Sequence, residues 1–161
     1  MNPATMKVAD VMRADVIRVR PNQTIAQLDE LLARHRITGA PVVDGDRVVG
    51  VVSRSDVVRQ LELERSRFES LSWYLEPFDA EDRAPALDEE VSNAVAKRLS
   101  GVLVRELMTK DVLSIGADAS LAEAARLMVE HRVHRLLVMR GAELAGLVSS
   151  LDLLRGLGQA A

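Results

Sequence analysis

Two short segments of the chain carry a serine followed three residues later by an aspartate: Ser53 with Asp56, and Ser149 with Asp152. Each Ser–Asp motif follows an apolar run and precedes a helical pattern, so we expect it where a strand ends and a helix begins. A carboxylate there can accept hydrogen bonds from two vicinal hydroxyls, such as those of a ribose. The helix N-terminus would also favour a nearby phosphate. A helix cap uses the same residues at the same spacing, and both interpretations stay open.

A second pair of segments lies upstream of these motifs and differs between the two places. One reads Thr38, Gly39 and Ala40, and the other has His134 and Arg135. Gly39 and Ala40 are small enough to let a flat base approach the backbone. His134 and Arg135 can hold phosphate oxygens, with arginine the stronger bidentate donor. A solvent-exposed His-Arg pair beside a strand is the alternative interpretation.

The two candidate sites are not equivalent. Ser55 lies inside the first motif, whereas the corresponding position of the second motif is Leu151. One polar contact is therefore lost, and the segment Thr38-Gly39 also lacks the charge of its counterpart, His134-Arg135. This asymmetry predicts that the sites bind unequally, with one occupied and the other empty or selective for a different number of phosphates.

Two further His-Arg pairs fall at the ends of helical patterns: His35 with Arg36, and His131 with Arg132. Cations suit the last carbonyls of a helix, so we interpret both pairs as helix-end residues. A metal site would need convergent ligands, and the sequence offers none beside them.

The elements that position these residues come from a duplication. Residues 8–61 align with residues 104–157 without a gap, at an offset of 96, and 16 of the 54 aligned positions are identical. Chance would give roughly three or four. The chain therefore contains two copies of one unit.

Each copy predicts the order βαββα after a short lead-in (residues 8–12 and 104–108). The expected strands are 15–19, 40–43 and 48–52, followed by their counterparts 112–115, 136–139 and 144–148. The expected helices begin at Thr24 and Ser53, then at Ser120 and Leu151, with a capping box at Thr24. A three-stranded sheet with both helices on one side leaves an apolar face. The two copies are thus expected to pack sheet to sheet with pseudo-two-fold symmetry in a mixed α/β (α+β) fold.

The linker between the copies holds every aromatic residue of the chain: Phe68, Trp73, Tyr74 and Phe78. Residues 61–75 can extend the preceding helix, and residues 87–99 predict another amphipathic helix. The aromatic cluster either covers its own copies or forms a dimer or partner interface. The expected domains are residues 1–61, 62–101 and 102–161.

The repeated pattern Gly-h-x-Ser-x-x-Asp, where h is apolar, occurs at 50–56 and 146–152 inside the two βαββα units and resembles the CBS (cystathionine β-synthase) domain. The resemblance covers nearly all of the chain except the linker and the termini. It implies a CBS pair whose relatives bind AMP, ADP, ATP or S-adenosyl compounds between the repeats and often dimerise. It also implies that the segment before the second strand of each copy, residues 37–40 and 133–136, lines an adenine with backbone groups and can supply phosphate contacts.

The composition and charge of the chain argue against several classes of function. A net charge of −3 and a pI near 5.7 argue against nucleic-acid binding. The absence of cysteine excludes disulfides, thiol catalysis and Cys-ligated zinc, and favours a reducing cytoplasm. The N-terminus lacks a signal-peptide pattern, and no run of 18 apolar residues predicts a membrane span.

The sequence leaves three classes of function. The expected class is a non-enzymatic, cytoplasmic homodimer that binds an adenine nucleotide and signals to a regulated protein in trans, without a catalytic cofactor. The alternative is an interaction scaffold with unoccupied clefts. An enzyme is disfavoured because the sequence has no nucleophile–base pair at suitable spacing, no phosphate loop with a lysine, and no metal cluster.

Overall fold

A computed structural model of the chain describes residues 5–75, 93 and 97–159. Its helices are α1 (Val8–Val11), α2 (Ile25–Arg34), α3 (Arg54–Leu75), α4 (Val104–Leu107), α5 (Leu121–Glu130) and α6 (Ser150–Gln159). Its strands are β1 (Gly39–Asp44), β2 (Arg47–Ser53), β3 (Ser114–Gly116), β4 (Arg135–Arg140) and β5 (Glu143–Ser149). The mixed α+β class and the repeated hairpin-then-helix order are confirmed.

The strands form one five-stranded sheet in the order β1-β2-β5-β4-β3. β4 and β5 pair antiparallel, whereas β3 runs parallel to β4. β2 and β5 meet antiparallel at one pair, Arg47 with Glu143. The hairpins of the two copies therefore belong to the same sheet.

The chain divides into two compact units, and each draws segments from both copies. The first unit comprises residues 1–18, 41–51 and 109–161, and the second comprises residues 19–40 and 52–108. These units are discontinuous in sequence, because segments of one copy pack against the other. The predicted domain boundaries at residues 61 and 101 stay a prediction.

In the first unit, the lead-in of the first copy binds to the second copy. The backbone N–H groups of Val8 and Ala9 donate to the carbonyls of Ala119 and Ala117, both at 2.9 Å. Val8 is fully buried. It belongs to a core cluster drawn from α5, α6, β4, β5 and two residues outside these elements, Met6 and Ala117: Met6, Ala117, Leu121, Ala124, Met128, Leu136, Val138, Val148 and Leu153. Burial of this cluster fixes the lead-in against the second copy.

A smaller cluster in the same unit joins the hairpins of both copies. Val43 of β1 packs with Leu137 of β4 and Leu144 of β5, and partly buried Val48 and Leu147 extend the contact. Apolar side chains of the two hairpins thus cover one another, as the predicted apolar faces require.

The second unit repeats the lead-in contact with the copies exchanged. The N–H groups of Val104 and Arg105 donate to the carbonyls of Gln23 and Pro21, at 2.8 and 3.0 Å. Each of these contacts corresponds to one in the first unit when the offset of 96 is subtracted from the donor's number and added to the acceptor's. Nearby, Thr24 caps α2 through the predicted capping box with Gln27. The duplication therefore preserves the contacts as well as the sequence.

The strand predicted at residues 15–19 is wrong: residues 14–18 have no strand or bridge assignment, and Val19 makes an isolated bridge. Its counterpart in the second copy is β3, which runs beside β4, where the N–H of Leu137 donates to the carbonyl of Leu113 at 3.3 Å. Pro41 occupies the place of Leu137 in the first copy. Because proline has no N–H, that hydrogen bond cannot form there.

The interpretation of the two helix-end pairs agrees with the structure. His35 and His131 are the C-caps of α2 and α5. Arg36 and Arg132 follow with φ of 52° and 53°, in the left-handed region. The helix extension predicted for residues 61–75 is confirmed by α3. The side chains of Phe68, Trp73, Tyr74 and Phe78 lie outside the described residues, so the role of the aromatic cluster stays a prediction.

Gly146 of β5 has no space for a side chain. A Cβ built on it would lie 2.7 Å from the carbonyl oxygen of Arg13 and 2.9 Å from the sulfur of Met12. We expect Gly146→Ala to lower the free energy of unfolding by about 1–3 kcal/mol, because backbone has to move. Urea denaturation followed by circular dichroism measures this value.

Gly116→Ala is the matched control, since nothing lies within 4 Å of a Cβ at Gly116. Its effect should stay below about 1 kcal/mol. Equal losses in both variants would contradict the close approach of the lead-in to β5.

Candidate ligand-binding site

The first junction, residues 38–40 and 53–56, lies where β2 passes into α3. Buried Asp56 accepts hydrogen bonds at Oδ2 from the N–H and the hydroxyl of Ser53, at 2.8 and 2.7 Å. Its Oδ1 accepts from Nη1 of Arg59 at 3.3 Å, and the Arg59 side chain is mostly exposed. One carboxylate oxygen is therefore held by the junction itself, and the other faces a solvent-accessible cation.

The start of β1 is tied to this junction. The N–H of Arg54 donates to the carbonyl of Thr38 at 2.9 Å. A Cβ on Gly39 would lie 2.9 Å from the carbonyl oxygen of Val52, so Gly39 is small because β2 passes close by. Ala40 is buried, whereas Thr38 is exposed. The predicted residues of the first copy are thus brought together, and Gly39 has a packing reason that the sequence did not supply.

Ser55 occupies the first turn of α3 and is exposed. Its hydroxyl is therefore accessible at the helix N-terminus, on the same turn as Asp56. The corresponding residue of the second copy, Leu151, is also exposed. The predicted polar asymmetry between the copies is present at the surface of both junctions.

The second junction, residues 134–135 and 149–152, lies where β5 passes into α6. Oδ2 of buried Asp152 accepts from the N–H of Ser149 at 3.0 Å and from its hydroxyl, and the N–H of Asp152 donates back to Oγ of Ser149 at 3.2 Å. This reciprocal pair is a capping box. Helix capping and ligand binding are therefore compatible at Asp152, because the cap uses Oδ2 and leaves Oδ1 for a ligand.

His134 and Arg135 also lie at the second junction. The N–H of Ser150 donates to the carbonyl of His134 at 3.0 Å, which matches the contact between Arg54 and Thr38 in the first copy. Arg135 is directly opposite Ser149 in the β4–β5 register. Both side chains are exposed. A phosphate could reach them from solvent.

Arg13, which directly follows the first lead-in, is a site residue that the sequence analysis missed. Its Nε and Nη2 each lie 3.4 Å from Oδ1 of Asp152. Arg155 adds a longer ion pair to the same oxygen, at 3.8 Å. The aligned position of Arg13 in the other copy is Thr109. This difference in charge, directly after the methionines Met12 and Met108 that the two copies have in common, was the sequence signal that could have identified Arg13.

The Asp152 carboxylate is ionised more readily than an ordinary aspartate. Burial by itself raises its pKa, but the hydrogen bonds from Ser149 and the positive charge of Arg13 outweigh burial and leave the pKa below its usual value. A carboxylate in this state accepts hydrogen bonds and donates none. It is suited to binding hydroxyl groups.

Two further kinds of feature are absent from the described part of the chain. Residues 5–75, 93 and 97–159 contain no group of three or more His, Cys, Asp or Glu side chains placed to hold a metal ion. None of the helices described there is both long and apolar enough to cross a membrane.

Comparison with known proteins places both copies in one family model. The model described as CBS domain matches residues 8–63 and 104–159. The crystal structure of CBSX2 in complex with AMP is similar, with a TM-score of 0.67 and 26% identity over 95% of this chain and 96% of that chain. CBSX2 is a CBS-pair protein from Arabidopsis thaliana.

The sequence relatives differ in length. Protein MJ1426 of Methanocaldococcus jannaschii is 28% identical over 98% of this chain and 94% of its own length. The inosine-5'-monophosphate dehydrogenase of Korarchaeum cryptofilum is 26% identical over 94% of this chain, which spans 24% of the enzyme. This chain covers 39% of the length of another relative, protein MJ1232 of M. jannaschii. The match to the dehydrogenase therefore concerns a minor part of that enzyme.

The lowered pKa of Asp152 predicts a pH dependence. Ionised Asp152 stabilises the folded protein at pH values above the pKa of an unfolded aspartate, and this contribution is lost as the pH falls through the lowered pKa of the folded state. Asp152→Asn should therefore show a smaller acid-induced decrease in the free energy of unfolding. Urea denaturation at a series of acidic pH values measures it.

Asp118→Asn is the control, because the Asp118 side chain is 89% exposed and forms its ion pair with exposed Lys7. It should keep the pH dependence of the parent. An Asp152→Asn variant that also keeps it would show that the junction does not favour the ionised carboxylate.

Proposed function

Because the chain belongs to the CBS domain family, we propose that it is a regulatory module that binds an adenine nucleotide at its Ser–Asp junctions. The observation that carries the proposal is the similarity to CBSX2 in complex with AMP, which extends over nearly the whole of both chains. No catalytic step or catalytic cofactor is part of the proposal. The relevant ligands are AMP, ADP and ATP, with S-adenosylmethionine as the competing class.

The geometry of the junctions supports a ribose as the recognised group. At Asp56 and at Asp152, Oδ2 is occupied by the serine of the same motif. Oδ1 faces arginine side chains that are more than half exposed, at 3.3 Å or more. Ion pairs of this kind contribute little, so a ligand can replace them at small cost. Two vicinal hydroxyls would then donate to Oδ1.

Regulation follows if the ligand prefers one conformation or assembly of the protein over another. A ligand can shift such an equilibrium only by its difference in affinity for the two states. We propose that a protein in trans reads this shift, and that the module works in the cytoplasm. The alternative is a scaffold whose junctions are capped and empty, with Ser53 and Ser149 serving only the helices.

Substitution of the junction carboxylates tests ligand binding. Asp56→Asn and Asp152→Asn keep an oxygen for the serine cap but remove the charge, and each should weaken AMP binding at its own junction by about 10-fold or more. Isothermal titration calorimetry with AMP measures the affinity. Asp111→Asn, at an exposed position that belongs to neither Ser–Asp motif, should bind as the parent does.

The two functional classes give opposite results in this titration. The nucleotide module binds AMP, and the double variant loses binding. A folded parent protein that shows no heat with AMP, ADP, ATP or S-adenosylmethionine would support the scaffold and refute the proposed function.

We also propose that the protein forms a homodimer through apolar positions of α3 and α6. On α6, Leu151, Leu154 and Leu157 are exposed. On α3, Val58 and Leu61 are exposed at the positions aligned with Leu154 and Leu157. Apolar residues repeated on equivalent helices are typical of an interface between copies.

A charge on α6 tests the dimer. Leu154 is 65% exposed, and Leu154→Glu should convert the dimer to a monomer at micromolar concentration, because a carboxylate would be buried in an apolar contact. Light scattering after size-exclusion chromatography gives the mass. Val129→Glu is the control, since Val129 is 79% exposed at the end of α5. A monomeric parent, or a dimer unaffected by Leu154→Glu, would contradict this interface.

A further inference from the structure

The two oxygens of Asp152 are held by groups of different strength. Oδ2 is bound by the N–H and hydroxyl of Ser149, which belong to the same turn of chain. Oδ1 is approached by the guanidinium of Arg13, at 3.4 Å from both nitrogens. The contact with Arg13 is therefore the longer and weaker one, and it covers the oxygen that a ribose would need.

Arg13 can leave Asp152 without moving its backbone. Its N–H and its carbonyl are bonded to the carbonyl and the N–H of Leu147, both at 2.9 Å, and its carbonyl packs over Gly146. Its side chain, by contrast, is 61% exposed. The backbone of Arg13 is therefore fixed at the junction, while its exposed guanidinium can turn towards a ligand.

We infer that Arg13 makes the second junction selective for phosphorylated nucleotides over neutral nucleosides and S-adenosyl compounds. This inference rests on the proposed function. A ribose that binds Oδ1 displaces the guanidinium from its carboxylate. A neutral nucleoside leaves that cation with water alone, whereas a phosphate gives it an anionic, bidentate partner. A sulfonium ligand adds a positive charge beside Arg13 and Arg155.

The chain supplies a matched substitution at this position. Thr109 is the residue aligned with Arg13, and its N–H and carbonyl make the same two backbone bonds, to Val51, at 2.9 Å. Arg13→Thr therefore places directly after the first lead-in a residue that the same backbone already accommodates after the second. It removes the guanidinium and leaves the bridge intact.

The experiment compares AMP with adenosine by calorimetry in the Asp56→Asn background, which isolates the second junction. Arg13→Thr should weaken AMP binding by about 10-fold or more, and adenosine should bind with unchanged or higher affinity. Arg13→Gln, which keeps a long polar side chain, should give the same result if Arg13→Thr folds poorly. Arg140→Thr makes the same change in net charge at an exposed position, and should leave both affinities unchanged.

Three results would overturn the inference: equal weakening of AMP and adenosine, no change in either, or loss of AMP binding in Asp56→Asn alone while the parent still binds. The first would make Arg13 a structural residue, and the third would place the ligand at the first junction. Failure of the proposed function looks different, because the parent itself then binds neither AMP nor adenosine.

Discussion

One backbone hydrogen bond in each copy organises the candidate site. The first N–H of the helix after the hairpin donates to the carbonyl just before the hairpin: Arg54 to Thr38, and Ser150 to His134. This bond joins the entrance of one strand to the exit of the next. The exposed segment before β1 or β4 therefore lies beside a capped helix N-terminus and its aspartate. Without it, the segment that could face a base and the carboxylate that could bind a sugar would not belong to one surface.

The exchange of lead-ins adds the second constraint. Each lead-in packs on the copy to which it does not belong, through the paired contacts of Val8 with Ala119 and Val104 with Gln23. Arg13, which directly follows the first lead-in, therefore lies beside the Ser–Asp motif of the second copy. The two junctions share a backbone plan, but the exchanged segment gives the second one an arginine. A duplicated fold thus acquires unequal sites through a residue outside either motif.

Local patterns in the sequence predicted the features that depend on neighbouring residues. The capping box at Thr24, the helix after Ser53 and the meeting of Ser149 with Asp152 all involve residues a few positions apart. The contact between Arg13 and Asp152 spans 139 positions and depends on the exchanged lead-in, so periodicity could not predict it. The missing strand at residues 15–18 has a similar cause. The β-branched residues there are typical of a strand. Pairing with β1, however, needs an N–H at position 41, more than 20 residues away, and Pro41 has none.

A crystal structure of the protein with AMP tests the central claim most directly, because it shows which groups replace the arginines at the carboxylates. We predict that Ser149 keeps Oδ2 of Asp152, that a ribose hydroxyl lies about 3 Å from Oδ1, and that the guanidinium of Arg13 turns to the phosphate. AMP bound away from both junctions, or bound while Arg13 still contacts Asp152, would contradict the account.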